Sequence, residues 1–238
     1  MAQVPTIRTV CSTRDYAHAA IVAWRFIYKG ALPTKEQVGV LYAQWIAETG
    51  GRHCYCWNIG NVKVAPAQVN AGVPWFDLPG TWEIINGQRV VLKEGDPGRR
   101  FRAYASLDAA MAEHMALLKE KRFKSAWPSV ENGDPHGFAH ALKAGPDGKQ
   151  GTWDDYFTGS VDQYAANMVA AHKQWMRSDA FEKSLEDVVA ASEAETQPDL
   201  DVYVSEGPIA TVTVLPDTLM PCARCHRQSC NGDCLDAA

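Results

Sequence analysis

Glu48 closes an apolar segment and is followed by Thr49 and the pair Gly50-Gly51. Ahead of it, Val38, Leu41, Tyr42 and Trp45 recur at helical spacing, which predicts a helix that the two glycines stop. A carboxylate at that end faces the negative pole of the helix dipole. Trp45, Ile46 and Trp57 are available to take water away from it. Both effects favour the protonated form, which a general acid must hold near neutral pH. Just beyond lies CYCWNIGNVK, where Asn58, Asn61 and Lys63 alternate with turn-forming residues. Amides in a loop beside an acid can hold the N-acetyl or hydroxyl groups of a sugar. Glu83 falls on a β-rich segment, and a second carboxylate across a cleft is the usual requirement for glycoside hydrolysis. Tyr156 and Tyr164 flank a glycine-containing stretch and suit either core packing or a sugar contact. Taken singly, these residues also read as a solvated helix end, an ordinary turn and an exposed strand position; the chemistry lies in the set.

The elements that must position them are mostly helical. Residues 13–29 are rich in Ala, Ile, Trp and Phe and end at Gly30. Thr34 with Gln37 forms a capping box for the helix that carries Glu48. Residues 52–79 keep no period and read as loop. TWEIINGQRVVL (81–92) reads as a β-hairpin, because Asn86-Gly87 between two β-rich runs is a strong turn signal. Ser106 can cap LDAAMAEHMALLKEKR, Asp134-Pro135 starts a short helix ending at Gly145, and Ser160 opens a helix with Val161, Tyr164, Met168, Ala171 and Trp175 on one stripe. Ser178 starts a last helix through Phe181, Leu185 and Val188. The expected class is α+β, mainly α: a helical domain with a small β-hairpin lobe.

Charge and cysteine both shift near residue 193. The chain is 238 residues long with net charge −5, yet residues 193–238 hold eight acids against Arg224 and Arg227. The expected division is a catalytic domain over 1–192, an acidic linker over 193–201, and a tail over 202–238 that is strand-containing and cysteine-rich. No block of basic residues stands out, which argues against nucleic-acid binding. No apolar run reaches the roughly 18 residues of a membrane span. The N-terminal residues show no apolar core, so no secretory signal is expected.

Order and spacing over residues 38–177 resemble the bacterial and phage endo-β-N-acetylglucosaminidases, the flagellar-type peptidoglycan hydrolases. The motifs are Glu48-Thr49-Gly50; Asn58-Ile59-Gly60-Asn61-Val62-Lys63, with Asn61 where glycine is usual; and Thr81-Trp82-Glu83 followed by Asn86-Gly87. Phe101-Arg102-Ala103-Tyr104-Ala105-Ser106 closes the lobe, a step near Phe123–Ala126 follows, and then Tyr156-Phe157-Thr158, with Gly159 in place of the usual Asp. The resemblance implies a lysozyme-like fold and hydrolysis of the β-1,4 bond after N-acetylglucosamine in peptidoglycan. It implies Glu48 as the acid, Glu83 as the second carboxylate and Tyr156 as the cleft tyrosine. Asn58, Asn61, Lys63, Trp57 and Tyr164 are the expected substrate contacts. Catalysis by carboxylates needs no cofactor. A lytic transglycosylase or muramidase, and a phage tail or baseplate component that keeps only the fold, stand as alternatives.

The tail holds Cys222, Cys225, Cys230 and Cys234 with His226 between them. Such spacing suits a structural zinc site, with His226 as an alternative ligand, or disulfides. Cys54 and Cys56 border the expected cleft; a structural role or a bridge to Cys11 is the expectation. The tail's acidity would repel anionic wall polymers, so it is expected to bind a protein partner or the body of the molecule. Together these features suit a lysin made in the bacterial cytoplasm that reaches the wall at lysis or as part of a virion.

Overall fold

The computed structural model describes residues 3–51, 54–85, 88–120, 123–145 and 160–196. Tyr156, the Asn86-Gly87 turn and the tail residues Cys222, Cys225, His226, Cys230 and Cys234 lie outside them. The protein is mixed α+β and mainly helical. Its helices are α1 (Thr13–Ile27), α2 (Lys35–Thr49), α3 (Pro66–Asn70), α4 (Leu107–Glu120), α5 (Trp127–Glu131), α6 (Pro135–Ala144), α7 (Val161–Met176) and α8 (Ala180–Thr196). Its strands are β1 (Arg8–Thr9), β2 (Cys54–Tyr55), β3 (Trp75–Asp77), β4 (Trp82–Ile85), β5 (Gln88–Val91) and β6 (Arg100–Arg102).

Local sequence explains most boundaries. The Thr34 side chain accepts from the Gln37 N–H while the Gln37 side chain returns to the Thr34 N–H, so two orphan donors of α2 are satisfied. Ser12 and Asp15 do the same for α1. Asp134 accepts from the His136 and Gly137 N–H groups at the start of α6, with Pro135 at the first helical position. At the far end of α2, Gly50 turns left-handed at φ 73°. A glycine there avoids the steric cost a Cβ would bring.

α1, α2, α4, α6 and α7 enclose the main core. Its centre is aromatic: Tyr16 stacks on Trp45 with centroids 4.7 Å apart, and Tyr42 bridges Trp45 and Trp175. Of the predicted stripes, Val38, Leu41, Tyr42 and Trp45 on α2 and Met168, Ala171 and Trp175 on α7 are buried, while Val161 and Tyr164 at the start of α7 are half-buried. α2 and α7 run antiparallel. Trp175 Nε1 donates to the Lys35 carbonyl at 2.8 Å at one end, and Tyr164 meets Glu48 at the other.

Two expectations change. Residues 52–79 are not uniform loop: β2, α3 and β3 form there, and the β structure among the described residues comprises three two-stranded antiparallel ladders, β1–β2, β3–β6 and β4–β5. Strands of two or three residues are too short to show a period, and β1 and β6 lie far away in sequence from their partners. The hairpin β4–β5 pairs Glu83 with Val90 and Trp82 with Val91. A second, smaller core of Cys56, Phe76, Phe101 and Ala103 sits under β3–β6. Further on, α8 runs to Thr196, into the segment expected as a linker. The helix-forming run Ala190–Thr196 (AASEAET) explains the extension.

Gly39 sits where α2 meets α7. A Cβ built there would lie 2.7 Å from Trp175 Cδ1 and 2.8 Å from the His172 ring. Gly39→Ala removes a poor helix former, a change worth about 1 kcal/mol in the open, yet it must push two helices apart. The expected outcome is a net loss of about 1–3 kcal/mol, read from the urea midpoint; an unchanged or higher midpoint would mean that the contact yields freely.

Candidate active site

Glu48 is the penultimate residue of α2 and is half-buried. Helix periodicity sets it one turn above Gln44 on the same face. The Tyr164 hydroxyl, brought by the first turn of α7, donates to Glu48 Oε1 at 2.8 Å. A donor on one carboxyl oxygen fixes the rotation of the group, and with it the direction of the second oxygen. Tyr164 also packs its ring on the main core, as the core expectation for its helical stripe had it, while its polar tip reaches Glu48.

The segment after β2 wraps around this acid. Cys56, Trp57 and Asn61 all take left-handed backbone conformations, at φ 48°, 57° and 51°. Such angles strain ordinary side chains, which Asn tolerates best. What holds them is Asn58. Its Oδ1 accepts from the Val62 N–H at 2.8 Å, and its Nδ2 donates to the carbonyls of Val62 and Arg102 at 2.8 and 2.9 Å. The amide thus imitates a strand neighbour for Val62. It is 2% exposed with its hydrogens and its oxygen engaged. Asn58 therefore holds the loop and has no donor left for a substrate, contrary to the sequence expectation. Trp57 lies half-buried against the main core, its backbone N–H donating to Thr9 Oγ1 at 3.1 Å.

Asn61 is exposed at the tip, and its Nδ2 approaches the Glu48 carbonyl at 3.4 Å. Two residues on, Lys63 bridges to Phe101 of β6, and its ammonium forms an ion pair with Glu83 of β4. One loop therefore reaches both carboxyl-bearing elements. Its tip touches the end of α2 and its final residue holds the hairpin. The lobe is tied to the helical body independently by Arg102 of β6 and Glu113 of α4, paired at 2.8 Å.

A buried polar layer lies beneath, which sequence reading did not single out. Gln44 is 1% exposed, and its Oε1 accepts from His114 Nε2 at 3.1 Å, in the tautomer that this contact requires. Above the imidazole sits Gly60 of the loop; a Cβ there would be 2.5 Å from His114 Nδ1. Burial pushes His114 down to about 4, so it is neutral across the physiological range. A Gln amid Val38, Leu41, Tyr42 and Trp45, one turn before Glu48, was the available signal. Cys11, Cys54 and Cys56 are free and buried rather than bridged. Burial, with Cys54 nearby, pushes the Cys11 thiol up to about 12, and burial raises Cys54 as well. Neither is an activated nucleophile. Among the described residues no cluster suits a metal ion, and no helix is long and apolar enough to cross a membrane.

Comparison with family models, with curated proteins and with solved structures returned no match for this chain.

The His114 layer has a pH signature. Above pH 6.5 the imidazole is neutral whether the chain is folded or not. As pH falls from 6.5 towards 4 the unfolded imidazole takes up a proton that the folded one refuses, so stability drops. Wild type is expected to lose about 2–3 kcal/mol more than His114→Gln between pH 7.5 and pH 4.5. Urea unfolding of both at each pH measures the difference; equal losses would show that His114 is protonated freely in the fold.

Proposed function

We propose that the protein is a glycoside hydrolase that cleaves the β-1,4 bond after N-acetylglucosamine in peptidoglycan, with Glu48 as general acid. The observation that carries this reading is the Tyr164 hydroxyl on Glu48 Oε1, on a half-buried carboxyl at the C-terminal end of a helix. The hydroxyl orients the group; as a donor it favours the charged form, while the helix end and partial burial disfavour it. The protonated oxygen then delivers its proton to the leaving sugar oxygen as the glycosidic bond breaks. Glu83, held by Lys63 at the hairpin, supplies negative charge to an oxocarbenium-like transition state or takes the proton of the attacking water. Asn61, exposed beside the Glu48 carbonyl, is the amide placed to meet an acetamido or hydroxyl group. Tyr156 completes the reading as a cleft tyrosine, and peptidoglycan strands are the partner. The organisation over 38–177 and use as a phage or virion lysin belong to the same proposal.

The Lys63–Glu83 ion pair favours a second reading. A carboxylate neutralised by a lysine is a weaker base, and Glu48 would then work alone, as in a lytic transglycosylase or muramidase.

Digestion of purified cell wall followed by mass spectrometry separates these. The proposal expects reducing N-acetylglucosamine ends; anhydromuramic or reducing muramic ends would support the second reading, and no products would leave only a scaffold. Glu48→Gln is expected to keep the fold and lower turnover by at least 10³-fold, the order contributed by a positioned general acid. Tyr164→Phe is expected to lower kcat about tenfold with little change in KM. Wall clearing by Glu48→Gln at the wild-type rate would refute the assignment of the acid.

A further inference from the structure

Phe26 of α1 is 79% exposed, more than any other large hydrophobic residue among those described. Val22, one helical turn earlier on the same face, is 36% exposed, and Leu32, past the tight turn that follows the helix, is 45% exposed. An aromatic ring left in water on a regular helix is an unpartnered surface, and three observations indicate what covers it. The first is where the described chain ends. α8 packs along α1, and near its C-terminus Ser192 accepts a hydrogen bond from Arg25, the residue next to Phe26. α8 therefore ends near the C-terminal turn of α1, the turn that carries Phe26. From Thr196 to Val202 is six residues, a reach of about 20 Å when extended. The second is sequence. VYVSEGPIATVTVL (202–215) has apolar β-formers at short spacing, which suits a segment that lies along an apolar face. The third is charge. The last turns of α8 and the connecting stretch carry Glu193, Glu195, Asp199 and Asp201, while Arg25 lies near the end of α1 and Lys29 just past it.

The other exposed apolar face, Trp82 and Val91 on the hairpin, is a weaker match. The Arg89 guanidinium already lies 4.4 Å from the Trp82 ring centroid, and no observation brings the chain's end to it.

We propose that residues 202–215 dock on the Val22–Phe26 face of α1, with the acidic stretch guided by Arg25 and Lys29, so that the tail is held on the body of the molecule on a surface built by α1 and α8. This surface is separate from Glu48 and Glu83, and the inference stands whatever reaction those residues perform.

Amide hydrogen exchange on the full chain, wild type against Phe26→Asp, tests it. Phe26 is so exposed that the substitution should leave the fold intact, and unchanged exchange in α2 and α7 verifies that. In wild type the amides of 202–215 should exchange at least tenfold more slowly than an unstructured peptide of the same sequence, at every protein concentration. In Phe26→Asp they should return to the peptide rate. Three results would overturn the proposal: peptide-like exchange in wild type, equal protection in both proteins, or protection that appears only as concentration rises, which would assign the face to a second copy of the chain.

Discussion

The close approach of α2 and α7 at Gly39 is the constraint on which the site depends. With no side chain at that position, Trp175 and His172 settle directly onto the α2 backbone, and Trp175 Nε1 closes the contact on the Lys35 carbonyl. Two antiparallel helices fixed at one end are also fixed at the other. Tyr164 arrives over Glu48 because α7 is continuous from Val161 to Met176 and has the length to carry it there, from 116 residues away in sequence. A bond of that kind has little energy of its own; its geometry comes from the packing of two helices whose apolar stripes leave one arrangement.

The loop from Cys56 to Lys63 obeys the opposite logic. Cys56, Trp57 and Ile59 anchor its first half in the two cores, yet its backbone passes through three left-handed residues other than glycine. It persists because Asn58 satisfies Val62 and Arg102 as a neighbouring strand would, and because Gly60 can lie flat against His114. Strain of this kind gathers where a site must be held in one shape. Here the loop connects the end of α2 to the hairpin, through the buried Asn58 amide and the Lys63–Glu83 ion pair.

The buried pair Gln44–His114 joins these two regimes. It sits in the helical core and lies against the loop at Gly60, with polar groups buried among apolar ones. A neutral imidazole below the loop gives the site a floor that changes its charge only in acid.

The long helices α2, α6 and α7 were legible in the sequence almost to the residue, because caps and apolar periodicity are local: Thr34 with Gln37, Asp134 with Pro135, and Ser160 each act within one turn; the five-residue helices α3 and α5 and the full length of α8 were not. The helix end that carries Glu48 and the hairpin strand that carries Glu83 were legible for the same reason. The ladders β1–β2 and β3–β6 were not, since each joins short segments whose partners lie tens of residues away and whose register depends on the completed core. The role of Asn58 as a loop brace was equally hidden; an asparagine's type says that it can hydrogen-bond, and only its surroundings say to what. Sequence alone determined which residues carry the acids and the elements they sit on. The tertiary structure decided that Tyr164, Asn61 and Lys63 meet them, because those contacts are made by long-range packing, which no local pattern encodes.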